Sequence, residues 1–293
     1  MMSLHIAWPH IRECLAAIVP KFSTTKRAFP EVMGTGFLVS ASGIVCTCRH
    51  VAEAFDKLTK PEGYAAIPAL ALLFTKDPST GYWGFLQFEI DHIGSATVSG
   101  DTTAYAGPRP PDVAYLFLNV TETPFLRIGD APIVEGEAVG VGGFPMGTDL
   151  LKAPGWLHQI TPTVMTGIVS AVLPHHLHPT PHGLLVHAQT LPGSSGSPVF
   201  RPDGSVIGMV YGGANDPILI GQERLVVPLP TSLAMCVSRD LIAGSLRGAE
   251  TAAAGLQGRP TLAERIAEGE RQTLTLGDSV FEQWPPRTRG KGP

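Results

Sequence analysis

The chain has 293 residues, 44% of them hydrophobic and only 16% charged, with a formal net charge of −4. This composition supports a sizeable buried core, excludes a disordered chain, and offers no basic stripe of the kind nucleic acid requires. With 33 glycines and 27 prolines, many short strands joined by turns are expected, so the bulk of the fold reads as all-β.

Taken in order, Leu4, Ile6, Trp8, Ile11, Leu15 and Ile18 fall at spacings that place them on one side of a short amphipathic helix, leading into a first strand near 17–22. Pro9, Arg12 and Glu13 interrupt the apolar positions, so no secretory leader is expected. Nor does any stretch reach the ~18 uninterrupted apolar residues of a membrane span, and a soluble, cytoplasmic protein is the expectation. Gly34 to Ser40 reads as a strand, Ala41-Ser42-Gly43 as a turn, and Ile44 to Cys48 as the hairpin partner. His50 follows that strand where the chain turns into a short helical stretch over 51–58, a position from which an imidazole looks into a cleft.

Further strands are expected at 69–74 and 83–90, across the turn Asp77-Pro78-Ser79-Thr80-Gly81, and then a polar loop over 95–111. Asp112 heads the apolar run Val113 to Leu118, so it is partly desolvated and needs a donor such as an imidazole N–H. Residues 119–134 read as a crossover between two halves. Strand signals resume at 138–142, 163–172 and 184–189, then at 205–211 and 224–229. Leu233, Val237, Leu241 and Leu246 give helical spacing over Thr231 to Leu246, and Thr261 with Glu264 forms a capping-box pattern for a short helix to about Gln272. Residues 285–293 carry Arg287, Arg289 and Lys291 without an apolar side chain, and a disordered or docking tail is expected there.

The stretch Leu191 to Phe200 sets Ser195 in a tight turn between glycines, which would hold its hydroxyl away from the backbone. The same turn can aim the amides of Gly193 and Ser195, with Ser194 between them, at a developing oxyanion. His50, Asp112 and Ser195, in that order, supply a general base, a carboxylate to orient it and a nucleophile, the division of labour that cleaves an unactivated amide.

Gly34-Thr35-Gly36-Phe37, Arg49-His50-Val51, Asp112-Val113-Ala114, Gly142 to Gly147, Thr166 to Ser170 and Gly193 to Pro198, followed by Gly204 to Gly208, closely resemble the HtrA/Deg branch of the trypsin-like (chymotrypsin-fold) serine proteases. These motifs span roughly residues 15–245. The resemblance implies two six-stranded antiparallel β-barrels, one over about 15–120 and one over about 133–230, with a closing helix at 231–246 and the site in the cleft between barrels. The protease domain is then expected over 1–247, and 248–293 as linker, short helix and basic tail, too short for the PDZ-type peptide-binding module of that branch. By this resemblance His50, Asp112 and Ser195 inherit the triad roles and Gly193, Ser194 and Ser195 the oxyanion hole. Ser194 stands where the branch usually has Asn and Ser197 where it has Gly, which bears on the fit of the oxyanion loop. The primary specificity pocket would be lined by Gln189, Thr190, Val210, Tyr211 and Gly212; none is charged, so small or medium uncharged side chains are expected.

The function implied is a serine endopeptidase, cytosolic and processing or regulatory in role, acting on protein or peptide substrates. A partner protein could dock on the N-terminal helix or the C-terminal tail. Two alternatives use the same residues: an ester hydrolase, and a silent binding module on a protease scaffold. No cofactor or metal is expected. Cys14, Cys46, Cys48 and Cys236 lack a disulfide framework and read as thiols, and Cys46-Thr47-Cys48 lacks the spacer and second pair of a metal site. His175, His176, His178, His182 and His187 lack the regular spacing of ligands and are expected on a hydrophilic loop near the cleft that makes activity pH-sensitive.

Overall fold

A computed structural model describes residues 4–22, 32–76, 83–97, 105–145, 162–220, 225–256, 258–268 and 272–273. The Asp77 to Gly81 turn, Met146 and Gly147 of the glycine-rich motif, and the basic tail lie outside the described residues.

Two closed barrels form the body. The first is built from β1 (Leu15–Pro20), β2 (Gly34–Ser40), β3 (Ile44–Thr47), β4 (Ala69–Lys76), β5 (Trp83–Ser95) and β6 (Ala114–Leu118), hydrogen-bonded in the order β5-β4-β1-β2-β3-β6 and closed by β5 against β6. β5 serves two neighbours because it is long: it pairs with β4 over Trp83 to Glu89 and with β6 over Ile90 to Ser95, with an irregularity between Ile90 and His92. The bend at such an irregularity lets one strand turn a barrel corner. The second barrel is built from β7 (Ala138–Gly143), β8 (Thr163–Leu173), β9 (Gly183–His187), β10 (Pro198–Phe200), β11 (Val206–Ile220) and β12 (Leu225–Ser238), closed where Val199 and Phe200 pair with Val141 and Gly140. Each barrel fills its interior with the inward side chains of its strands. In the first, residues on both faces of a strand are buried, Phe37 and its neighbour Leu38 among them, and Val139, Val186, Val199 and Ile207 are buried together in the second.

The helical expectations shift in register. The first helix, α1 (Leu4–Glu13), ends before Leu15 and Ile18, which belong to β1; it buries Ala7 and Ile11 but leaves Ile6 60% exposed. After β3 come α2 (Arg49–Glu53) and a single 3-10 turn, Ala54–Lys57. The helix expected over Thr231 to Leu246 lies instead at α3 (Arg239–Ala254). Leu233 and Val237, four apart, satisfy a strand's period as well as a helix's, and the ladder with β9 decides: Leu233 to Val237 pair with His187 to Gly183, sending Ala234 and Cys236 into the barrel core. Ser238 then caps α3, its hydroxyl accepting from the Asp240 amide. The Arg239 guanidinium fastens the start of α3 to the crossover, donating to the carbonyls of Asp130 and Ala131.

The expected capping box is present at α4 (Leu262–Ala267), with Thr261 and Glu264 bonding reciprocally. Where that helix was expected to continue, Gln272–Thr273 forms β13, which adds to β5 opposite Phe85 and Gly84. Among the described residues no helix is long and apolar enough to cross a membrane.

Candidate active site

His50 sits on the first turn of α2, and Asp112 on the segment that leads into β6, strand partner of β3. The fold therefore brings 50 and 112 together through a pairing of neighbouring strands. The Asp112 carboxylate takes two bonds from one residue: Oδ1 accepts from the His50 amide at 3.0 Å, and Oδ2 lies 2.7 Å from Nδ1. A carboxylate accepts only, so Nδ1 carries the proton and the Nε2 lone pair faces outward. The His50 side chain is 48% exposed while that of Asp112 is 12% exposed, as suits a base that meets solvent and a carboxylate that does not.

Arg49 secures this pair from the side. Its Nε donates to the Pro111 carbonyl at 3.1 Å and a terminal nitrogen donates to the Ala96 carbonyl, so both ends of the loop before Asp112 are tied to α2. Sequence reasoning gave Arg49 no role, although its place beside His50 was the available signal.

Ser195 arrives from the other barrel, in the turn ahead of β10. Its carbonyl accepts from the Thr35 amide at 2.7 Å, and the preceding residue, Gly34, lies against Val51, next to His50. Gly193 and Gly196 have φ of +91° and +88°, in the left-handed region that disfavours side chains. At Gly196 space forbids one too, since a Cβ would stand 1.8 Å from the Thr35 carbonyl oxygen.

Thr35 is the second residue that sequence reasoning passed over. Fully buried, its Oγ1 donates to the Gly193 carbonyl at 2.8 Å and accepts from the Phe144 amide at 3.0 Å, clamping the loop before Ser195 between two strands. The Gly34-Thr35-Gly36 motif contained it, but its partners lie 158 and 109 residues away.

The amides of the turn divide into two sets. Those of Ser194, Gly196 and Ser197 donate to Leu191, Val210 and Ser194 carbonyls at 2.9, 2.8 and 3.0 Å. Those of Gly193 and Ser195 donate to no acceptor among the described residues. Ser194 is thereby corrected as an oxyanion donor: its amide is committed, and its hydroxyl accepts from the Leu191 amide at 3.2 Å, which makes it an internal brace of the loop.

The residues expected around the specificity pocket separate as well. Val210 is fully buried in the core of the second barrel, so only its backbone reaches the site. Tyr211 is half-buried, and burial above all pushes its hydroxyl pKa up, so it offers a neutral wall. Thr190 presses on Gly213, where a Cβ would meet its Oγ1 at 2.2 Å, while Gln189 is exposed.

The histidine group lies mostly where expected. His175, His176 and His178 are on the loop between β8 and β9, and His187 ends β9. His175, His178 and His182 form a chain of ring contacts, 4.8 and 5.2 Å between centroids, that continues to Tyr105. His182 Nδ1 accepts from the Ala106 amide at 3.1 Å, joining this loop to the segment that leads to Asp112.

Comparison with known proteins agrees with this architecture. A probable periplasmic serine endoprotease, DegP-like, from Halomonas elongata is 27% identical over 216 residues, 71% of this chain but 35% of that protein, so the chain spans about a third of the relative's length. Mouse neuropsin, a serine protease, superposes with a TM-score of 0.51 at 12% identity, covering 83% of this chain and 96% of its own, which shows the shared two-barrel fold. The serine endoprotease from Yersinia pestis gives a TM-score of 0.47 at 16% identity, over 85% of this chain and 66% of its own. The trypsin-like peptidase domain matches over residues 34–209, from the strand that carries Thr35 to the strand behind Ser195, and with more than half of its length so matched the chain belongs to that family.

Proposed function

We propose that the chain is a serine endopeptidase that hydrolyses peptide bonds through an acyl-enzyme. The observation that carries this reading is the His50–Asp112 pair, which leaves a proton-accepting Nε2 on a half-exposed imidazole. In the first step Ser195 Oγ attacks the scissile carbonyl carbon while its proton passes to His50 Nε2. Asp112 stabilises the imidazolium through Nδ1–H, and the amides of Gly193 and Ser195 stabilise the oxyanion. The imidazolium then protonates the leaving amine, the C–N bond breaks, and water activated by the same imidazole releases the acyl group.

Pocket chemistry supports small or medium uncharged side chains at the cleaved position. Thr190 against Gly213 narrows the space, and Gln189, Thr190, Tyr211 and Gly212 hold no charge that would neutralise Lys or Arg. The four cysteines are unpaired, buried thiols, which suits a reducing compartment, and on that ground we place the activity in the cytoplasm. The periplasmic designation belongs to the Halomonas relative. Substituting Ser195→Ala is expected to abolish turnover of a peptide library while leaving the melting curve intact, and a fluorophosphonate probe is expected to label wild type at Ser195 alone. Turnover that persists in the alanine variant overturns the mechanism, and a wild type inert to both probe and peptides leaves a silent binding module.

A further inference from the structure

Beneath the catalytic pair lies a group the mechanism does not use. Cys48, the residue after β3, is fully buried, and its Sγ donates to the Val210 carbonyl at 3.2 Å. Its sulfur, a His50 ring nitrogen and an Asp112 carboxylate oxygen all lie within 4.8 Å of one another, and no other such convergence of three ligating residues occurs among the described residues. The histidines of the 175–182 loop do not form one.

We propose that Cys48, His50 and Asp112 form an inhibitory site for a borderline-soft divalent cation, zinc being the first candidate. One thiolate, one imidazole and one carboxylate are a ligand set zinc accepts in sites that leave a fourth position open, with metal–ligand bonds of about 2.0–2.3 Å. Donors bound tetrahedrally at those lengths stand about 3.3–3.5 Å apart, so shifts of an ångström or so suffice. Charge favours occupancy, since a thiolate and a carboxylate together neutralise the dication. Burial and then the charge of Asp112 push the Cys48 thiol pKa up, so the metal–sulfur bond itself must drive the loss of the S–H proton. The half-exposed imidazole offers the way in.

The proton balance explains the inhibition. Cys48 loses its S–H proton to solvent as the metal–sulfur bond forms, and the bond from Sγ to the Val210 carbonyl is given up. The imidazole proton moves from Nδ1 to Nε2 as Nδ1 and an Asp112 oxygen bind the metal. With Nε2 protonated, no lone pair remains to accept the Ser195 proton. One proton leaves the site per metal bound, and no redox step is involved.

Metal binding is read independently of catalysis, since only the inhibitory consequence rests on the endopeptidase reading. Metal-free Ser195→Ala protein titrated with Co²⁺ is expected to develop a sulfur-to-cobalt charge-transfer band saturating at one equivalent. Competition with Zn²⁺ should bleach the band, and it should be absent in Ser195→Ala proteins that also carry Cys48→Ala or Cys48→Ser, with melting curves showing that both variants fold. In the active protein, Zn²⁺ is expected to inhibit reversibly. Its inhibition constant should rise in Cys48→Ala by more than the roughly 10–100-fold lost with an outer-shell partner, each variant being referred to its own metal-free rate. No band in the folded protein overturns the proposal, as does a band that survives loss of Cys48. A normal band in a wild type that cleaves nothing supports the metal site and refutes the endopeptidase reading instead.

Discussion

Thr35→Val tests whether one buried hydroxyl holds the Ser195 loop in shape. Valine has nearly the same volume, so the change removes an oxygen without opening a cavity, and its cost comes from the two groups that oxygen serves. The Gly193 carbonyl loses a donor at 2.8 Å and the Phe144 amide an acceptor at 3.0 Å, both in a fully buried setting. At about 1–3 kcal/mol for each backbone group left unsatisfied, the loss is about 2–6 kcal/mol, a large part of the roughly 5–15 kcal/mol that stabilises a typical protein. A mid-range loss of about 4 kcal/mol lowers the melting temperature by roughly 8–16 °C for a large chain. Freeing the Gly193 peptide also misaligns an oxyanion donor, and removing one such donor outright costs about 10²–10³ in kcat, so a kcat reduction toward that range is expected. Urea titration followed by tryptophan fluorescence measures the first quantity and steady-state cleavage of an uncharged peptide the second. Thr35→Ser, which keeps the oxygen, should recover most of the kcat. If Thr35→Val stays within about 0.5 kcal/mol of wild type with unchanged kcat, the clamp carries no weight and the argument fails.

Gly196→Ala places a methyl 1.8 Å from the Thr35 carbonyl at a φ of +88°, so insoluble or inactive protein is expected; a soluble variant with wild-type activity would contradict the geometry. Tyr115→Phe removes a buried hydroxyl that donates to the Ile242 carbonyl and meets Ser245 Oγ, both at 2.8 Å. A loss of about 1 kcal/mol, with faster hydrogen exchange in α3, is expected, and unchanged exchange there would show that the tether is idle. For His182, burial and then the charge of His178 hold the pKa below its ordinary 6.5, so below that pH the unfolded chain binds the proton more readily than the folded one. The contribution is full above pH 6.5 and is lost as pH falls through 6.5 toward the lowered folded value. Acidification should therefore release the Ala106 amide, and His182→Gln should flatten that part of the stability–pH curve; an unaltered curve would remove His182 from the account.

What could be read from the residues alone depended on how local the determinants were. Strands bounded by glycine and proline turns announced two β-rich halves, their closure into barrels was implied only by the family resemblance, and His50, Asp112 and Ser195 stood out because each sits where an apolar run meets a polar turn. The helix placed at Thr231 shows where periodicity fails: Leu233 and Val237 fit both periods, and only the β9 ladder, some fifty residues upstream, selects the strand. Val210 was placed in the pocket by the family resemblance, but barrel packing turns its side chain into the core and leaves Tyr211 half-buried. Thr35 was invisible because its partners, the Gly193 carbonyl and the Phe144 amide, are met only after the two barrels close on each other.

The flanking segments are exchanged between the halves. α1 precedes the first barrel yet lays Trp8 on Phe200 of the second, their rings 6.5 Å apart, whereas Gln272–Thr273 follow the second barrel yet lengthen the sheet of the first. During synthesis, then, the earlier half emerges with the flank of β5 unoccupied, and its own leading helix waits for a surface that has not yet been made. A cut in the crossover would not yield two self-sufficient units: one product would keep an orphaned indole and the other a bare aromatic face, so the division visible in the architecture is not a division the chain can survive.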